Sequence, residues 1–212
     1  MKKRLLAALV VMGTTAALTQ TVASPAQAAP DKPKKLVCDN TMDDPYTGTY
    51  ASVRVPKGAS CYLDGATVNG NLMALHGAVD VYVINTDVKR NIKVRGATRD
   101  VKVGPEDCRF DPPVGNNIMV TRSHNVAICL TTVDNNLTLS RNDGRLMLRG
   151  NVVGNNIRVT KNLPYNRQPG DGQHPNIATI RVYRNTAESH IVVRDNSDRP
   201  LRLLNNTPEP RT

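Results

Sequence analysis

Four cysteines, Cys38, Cys61, Cys108 and Cys129, carry the most defined chemistry in this chain of 212 residues. Their number is even, with 23 residues from Cys38 to Cys61 and 21 from Cys108 to Cys129. No pair has the C-x-x-C spacing that a tetrahedral metal site uses. Two structural disulfides, Cys38–Cys61 and Cys108–Cys129, are expected, and such bonds persist in oxidising compartments. Catalytic chemistry has less support. His76, His124, His174 and His190 are scattered, with no partner nucleophile at a recognisable spacing. Neither G-x-S-x-G nor H-E-x-x-H occurs. Two stretches, 104–113 and 161–175, gather polar side chains: Glu106, Asp107 and Asp111 in the first, Tyr165, Arg167, Asp171 and His174 in the second. The acids of the first could offer oxygen ligands to calcium, but their spacing matches no calcium-loop signature. No catalytic residue, metal or cofactor is assigned.

The first residues have the three parts of an export signal. Lys2, Lys3 and Arg4 are followed by an apolar run from Leu5 to Met12 and by Ala26-Gln27-Ala28, an A-x-A cleavage pattern. The apolar run is far short of the roughly 20 residues that span a bilayer. Cleavage near Ala28 and an extracellular location are expected, with no membrane attachment afterwards. Removing 1–28 takes away three positive charges and no acid, so a chain of formal charge +10 stays basic. That balance favours anionic polymers as partners and is silent about fold.

The elements that would position such chemistry are repeats. The phrase Val68-Asn-Gly-Asn71-Leu72 returns as Val88…Asn91-Ile92, Val114…Asn117-Ile118, Val133…Asn136-Leu137 and Val153…Asn156-Ile157. The leading valines are separated by 20, 26, 19 and 20 residues. Each phrase opens a piece of alternating apolar residues, such as Ile118-Met-Val120. A second piece follows about ten residues later: Val79-Asp-Val81, Val101-Lys-Val103, Val126-Ala-Ile128, Leu146-Met-Leu148. Alternation with period two puts one face inward and one outward. A unit this small cannot bury its apolar face alone, and stacking supplies the missing core. The expected fold is therefore all-β, a parallel β-helix (β-solenoid) of about six or seven coils of ~20 residues, stapled by the two disulfides. The aligned Asn71, Asn91, Asn117, Asn136 and Asn156 fit a hydrogen-bonded ladder at a buried bend, and His190 falls in the same column. Both cysteine separations match the coil length.

Within this scheme 29–37 is a flexible basic lead-in and 38–64 an N-terminal cap in which Tyr46, Tyr50 and Tyr62 supply bulk. Residues 65–204 are the solenoid and 205–212 a polar tail. The stretch from Val53 through Cys61 to Asn71, together with the V-x-x-N-[IL] phrases, resembles a group of uncharacterised secreted actinobacterial proteins. That resemblance implies a right-handed parallel β-helix outside the cell, and no particular activity.

Function then falls to the outward faces. Lys93 and Arg158 share the outward column of the first strand, and Lys102, Arg181 and Arg202 that of the second. Met73, Met119 and Met147 interrupt the columns, and Arg95, Arg122, Arg141, Arg145 and Arg149 are placed at nearby turns. A flat basic face holds a repeating anionic polymer through many weak, salt-dependent contacts. With no Trp, one Phe and six Tyr, stacking platforms for sugars or single-stranded nucleic acid are scarce, so no specific nucleic-acid recognition is expected. The expectation is a secreted, non-enzymatic structural or adhesive protein contacting wall polymer or acidic polysaccharide. The alternative is a polysaccharide lyase or hydrolase, which needs paired carboxylates, and no two acids fall into an evident column.

Overall fold

A computed structural model of the chain describes residues 32–105, 113–163, 180–196 and 201–211, and all regular structure among them is β-strand. Every strand pairing among the described residues is parallel. The strands fall into three ladders, visited in rotation by each repeat. The first ladder is Thr49–Val55, Leu72–Ala74, Ile92–Arg95, Asn117–Thr121, Asn136–Ser140, Asn156–Thr160 and His190–Arg194. The second is Cys61–Asp64, Val81–Ile84, Val101–Val103, His124–Cys129, Asp143–Arg149, Ile180–Tyr183 and Leu201–Leu204. The third consists of two-residue strands: Thr67–Val68, Asp87–Val88, Pro113–Val114, Thr132–Val133, Val152–Val153 and Thr186–Ala187. The first and third ladders meet at Thr49–Val55, which pairs with both, and Lys34–Val37 adds a strand there. The second ladder is a sheet of its own.

The register explains the repeated phrase. Its valine closes a third-ladder strand, so Val68, Val88, Val114, Val133 and Val153 stack in one fully buried column. Its Leu or Ile opens the first ladder, giving the buried column Val53, Leu72, Ile92, Ile118, Leu137, Ile157 and Ile191. The second ladder contributes Val81, Val101, Val126, Leu146 and Ile180. Inward side chains from all three ladders belong to a single hydrophobic cluster. Branched aliphatic residues suit these positions because they pack well on a pleated surface.

Two corners carry asparagine columns that the repeated phrase does not contain. Between the first and second ladders, Asn142 and Asn162 are fully buried, with Asn196 beyond them. Between the second and third, Asn151 and Asn185 are fully buried and Asn206 nearly so. Each amide donates to the next asparagine oxygen and to a strand-end carbonyl: Asn142 to Val120, Asn162 to Leu139, Asn151 to Ile128, Asn185 to Leu148. The residue before each has a positive φ: Arg141, Lys161, Asp195, Gly150, Arg184 and Asn205. A left-handed residue turns the chain, and the asparagine then satisfies backbone groups that the turn would leave without partners inside the core. In earlier repeats Thr86, Ser123 and Thr131 hold the equivalent places.

Several expectations change. Arg95, Arg145 and Arg149 lie within strands, whereas Arg122 and Arg141 sit at corners with positive φ. The second alternating piece of the early repeat is Val81 and Val83; Val79 lies ahead of the strand and leaves Asp80 nearly buried. Tyr46 and Tyr50 pack against the core with their rings edge to face, but Tyr62 points outward from the second ladder. Residues of the expected tail are bonded into the architecture, since Thr207 bridges Thr186 and Arg211 bridges Val192. The Cys38–Cys61 disulfide is present, joining the N-terminal segment to the first strand of the second ladder. Cys129 is buried, and Cys108 lies outside the described residues.

Candidate functional site

The first ladder presents the most uniform surface. None of its seven strands contains an acidic residue. One outward column runs Arg54, Met73, Lys93, Met119, Thr138, Arg158 and Val192. The next runs Arg95, Thr121, Ser140, Thr160 and Arg194, with Thr160 buried. Lys93 and Arg158 thus share a column but stand three ladder steps apart, about 14 Å at ~4.8 Å per step. Arg54 and Lys93 are two steps apart, about 10 Å, close to one Debye length at physiological salt. Their fields therefore add at low ionic strength and decouple at high. Arg194 is paired with Asp195, its Nε 3.8 Å from the carboxylate oxygen. Met73 and Met119 are 43% and 42% exposed, so apolar surface alternates with charge along the column.

The asparagines of the phrase border this face. Asn91 donates to Asn71 at 2.9 Å, Asn117 to Asn91 at 2.9 Å, Asn136 to Asn117 at 3.1 Å and Asn156 to Asn136 at 3.3 Å. They are half-buried rather than buried, because the corner they line faces solvent on one side. His190 pairs in register with Asn156, and its Nδ1 lies 2.9 Å from the Ser189 hydroxyl.

The second ladder has a mixed surface. Its outward column runs Tyr62, Tyr82, Lys102, Ala127, Met147, Arg181 and Arg202. Arg181 and Arg202 are neighbours, and Ala127 and Met147 separate them from Lys102. The Arg149 guanidinium sits 5.8 Å from the Tyr183 ring centroid. Ahead of the strands a polar column appears that the sequence reading missed. The Asp100 amide donates to Asp80 Oδ1 at 3.2 Å, and Asn125 Nδ2 donates to Asp100 Oδ1 at 2.9 Å. Asp80 is 2% exposed and also receives the Ser60 hydroxyl at 3.3 Å and the Tyr62 hydroxyl at 3.1 Å, with Arg99 at 3.4 Å. Two carboxylates therefore do share a column, against expectation, because both stand at the residue that enters a second-ladder strand. Burial, and then the neighbouring Asp100 charge, push the Tyr82 hydroxyl up to about 12. Burial and Asp80 raise that of Tyr62.

Among the described residues no three His, Cys, Asp or Glu side chains converge as a metal site. His124 contacts Asp143 at 3.1 Å. Glu106, Asp107, Asp111, Tyr165, Arg167, Asp171 and His174 lie outside the described residues; their flanks leave the strands at different corners, one after the second ladder and one after the first. No family model, curated protein or solved structure matches the chain.

Proposed function

We propose that the three ladders are the sides of a right-handed parallel β-helix of about six or seven coils, and that the chain is exported through its N-terminal signal. Outside the cell it acts as a non-enzymatic structural or adhesive protein that holds an anionic glycopolymer, a wall polymer or an acidic polysaccharide. The observation that carries this reading is the first-ladder face, where Arg54, Lys93, Arg95 and Arg158 project from strands without a single acid. Such a surface gives many weak contacts at intervals comparable with the screening length, so binding is multivalent and salt-dependent. A rigid ladder presents these cations at little ordering cost, which favours an extended polymer over a small anion. The Cys38–Cys61 bridge agrees with an oxidising location.

The lyase or hydrolase alternative would draw on Asp80 and Asp100. Asp80 is enclosed by Ser60, Tyr62 and Arg99, which leaves its carboxylate committed to internal bonds. To test the proposal, residues 29–212 are passed over immobilised polyuronate and wall polymer at rising salt. Retention at low salt with release at moderate salt supports it. No retention at low ionic strength, or shortening of the polymer, counts against it.

A further inference from the structure

We infer that Tyr62 and Tyr82 form a site for oxidative cross-linking, at which a carbon–carbon bond between the two rings would join adjacent strands of the second ladder. The two residues pair in register on neighbouring strands, and both side chains are outward and half-buried. Their ring centroids are 4.9 Å apart and their planes 29° from parallel, a stacked arrangement that brings the ortho carbons of one ring over the other. Each hydroxyl donates to a different carboxylate, Tyr62 to Asp80 at 3.1 Å and Tyr82 to Asp100 at 3.3 Å. No other tyrosine pair among the described residues combines these features. Tyr46 and Tyr50 are 6.2 Å apart and nearly perpendicular, and neither hydroxyl bonds a carboxylate among the described residues.

The carboxylates matter because removing an electron from a neutral phenol makes its proton strongly acidic. A hydrogen-bonded base accepts that proton as the electron leaves, which avoids a high-energy radical cation. Both hydroxyls hold their protons more tightly than free tyrosine, so at neutral pH oxidation proceeds from the phenol rather than the phenolate. The oxidant is a peroxidase-type one-electron acceptor drawing on hydrogen peroxide, a reagent class available outside cells. Each phenol loses one electron and one proton, giving two phenoxyl radicals. These couple between ortho carbons, and each ring then loses its ortho hydrogen as a proton while its oxygen regains one. The balance is two phenols and one hydrogen peroxide to one biphenol and two waters. The bond would tie Cys61–Asp64 to Val81–Ile84, beside the disulfide at Cys61, and no reductant would open it.

The test is treatment of dilute full-length mature protein with hydrogen peroxide and a haem peroxidase, followed by reduction of the disulfide and cleavage before aspartate. Asp64 and Asp80 place Tyr62 and Tyr82 on different fragments, and sequencing of the joined pair separates Tyr62 from Tyr46 and Tyr50, which share its fragment. The expected product is one joined fragment pair, lighter by two hydrogen atoms than its parts, with dityrosine fluorescence in the monomer fraction. Tyr82→Phe keeps the ring and its packing, and should abolish the joined pair while the circular dichroism is unchanged. Asp100→Asn should slow its formation several-fold at neutral pH. The inference is overturned if dityrosine forms only between chains or at Tyr46 and Tyr50, or if Tyr82→Phe gives the wild-type yield. An unchanged rate in Asp100→Asn removes the carboxylate from the mechanism.

Discussion

Asn151→Ala offers a sharp test of the corner columns. Asn151 is fully buried. Its oxygen accepts the Thr131 amide at 3.2 Å, and its nitrogen donates to the Ile128 carbonyl at 3.0 Å and to Asn185 at 2.8 Å. Alanine keeps the backbone bond from residue 151 to Asn185 but leaves the Thr131 N–H and the Ile128 carbonyl without these partners in the core. Each buried orphan costs about 1–3 kcal/mol, so the substitution should cost about 4 kcal/mol. Asn136→Ala removes the same chemistry from the half-buried column, where water replaces the lost amide and the cost is about 1 kcal/mol. In a domain of this size 1 kcal/mol moves Tm by about 2–4 °C, so the two variants should melt roughly 6–12 °C apart. Thermal melts by circular dichroism, supported by urea titration, read the difference. Equal melting temperatures would refute the claim that burial of these amides, rather than their mere presence, sets their worth.

Three further outcomes follow from the same geometry. Replacing Cys38 and Cys61 together by Ala should cost about 3 kcal/mol, the chain-entropy value for a loop closed by residues 23 apart, read as a lower urea midpoint. His190→Asn would continue the row from Asn156 and should raise stability by about 1 kcal/mol in the same assay. Because Tyr62 and Tyr82 have raised affinities for their protons in the folded state, the folded chain binds more protons than the unfolded one above pH 10. Stability should hold below pH 10 and fall as pH rises toward about 12, and ultraviolet titration should show Tyr82 ionising at about 12.

The parts of this architecture that were readable share one property: their residues recur at a fixed offset from an apolar anchor. Val68 and Asn71 sit three apart in each copy, so the third-to-first corner, its asparagine row and the first-ladder alternation stood out together. The buried corner columns did not, because the left-handed residue before each asparagine varies, from Arg141 to Gly150 to Asp195. Their early members are Thr86, Ser123 and Thr131, which fill the place with a hydroxyl instead of an amide. The Asp80–Asp100 pair escaped notice for a different reason. Val79-Asp-Val81 alternates just as a strand does, so Asp80 read as an outward residue of the strand rather than as its buried entry point. The shared columns of Lys93 with Arg158, and of Lys102 with Arg181 and Arg202, followed directly from period-two alternation. What alternation could not supply is the number of steps between them, which depends on which repeats carry Met119, Thr138, Ala127 and Met147.

The proposal that the first-ladder face holds an anionic polymer is tested most directly by comparing two triple variants of equal charge loss. One carries Arg54→Gln, Lys93→Gln and Arg158→Gln; the other carries Arg145→Gln, Arg149→Gln and Arg202→Gln on the second ladder. Retention on immobilised polyuronate, measured across a salt series, should fall at least tenfold for the first variant and far less for the second. The slope against log salt should shrink only in the first. Equal losses in both variants would mean that net charge alone governs retention, and would contradict a binding face on the first ladder.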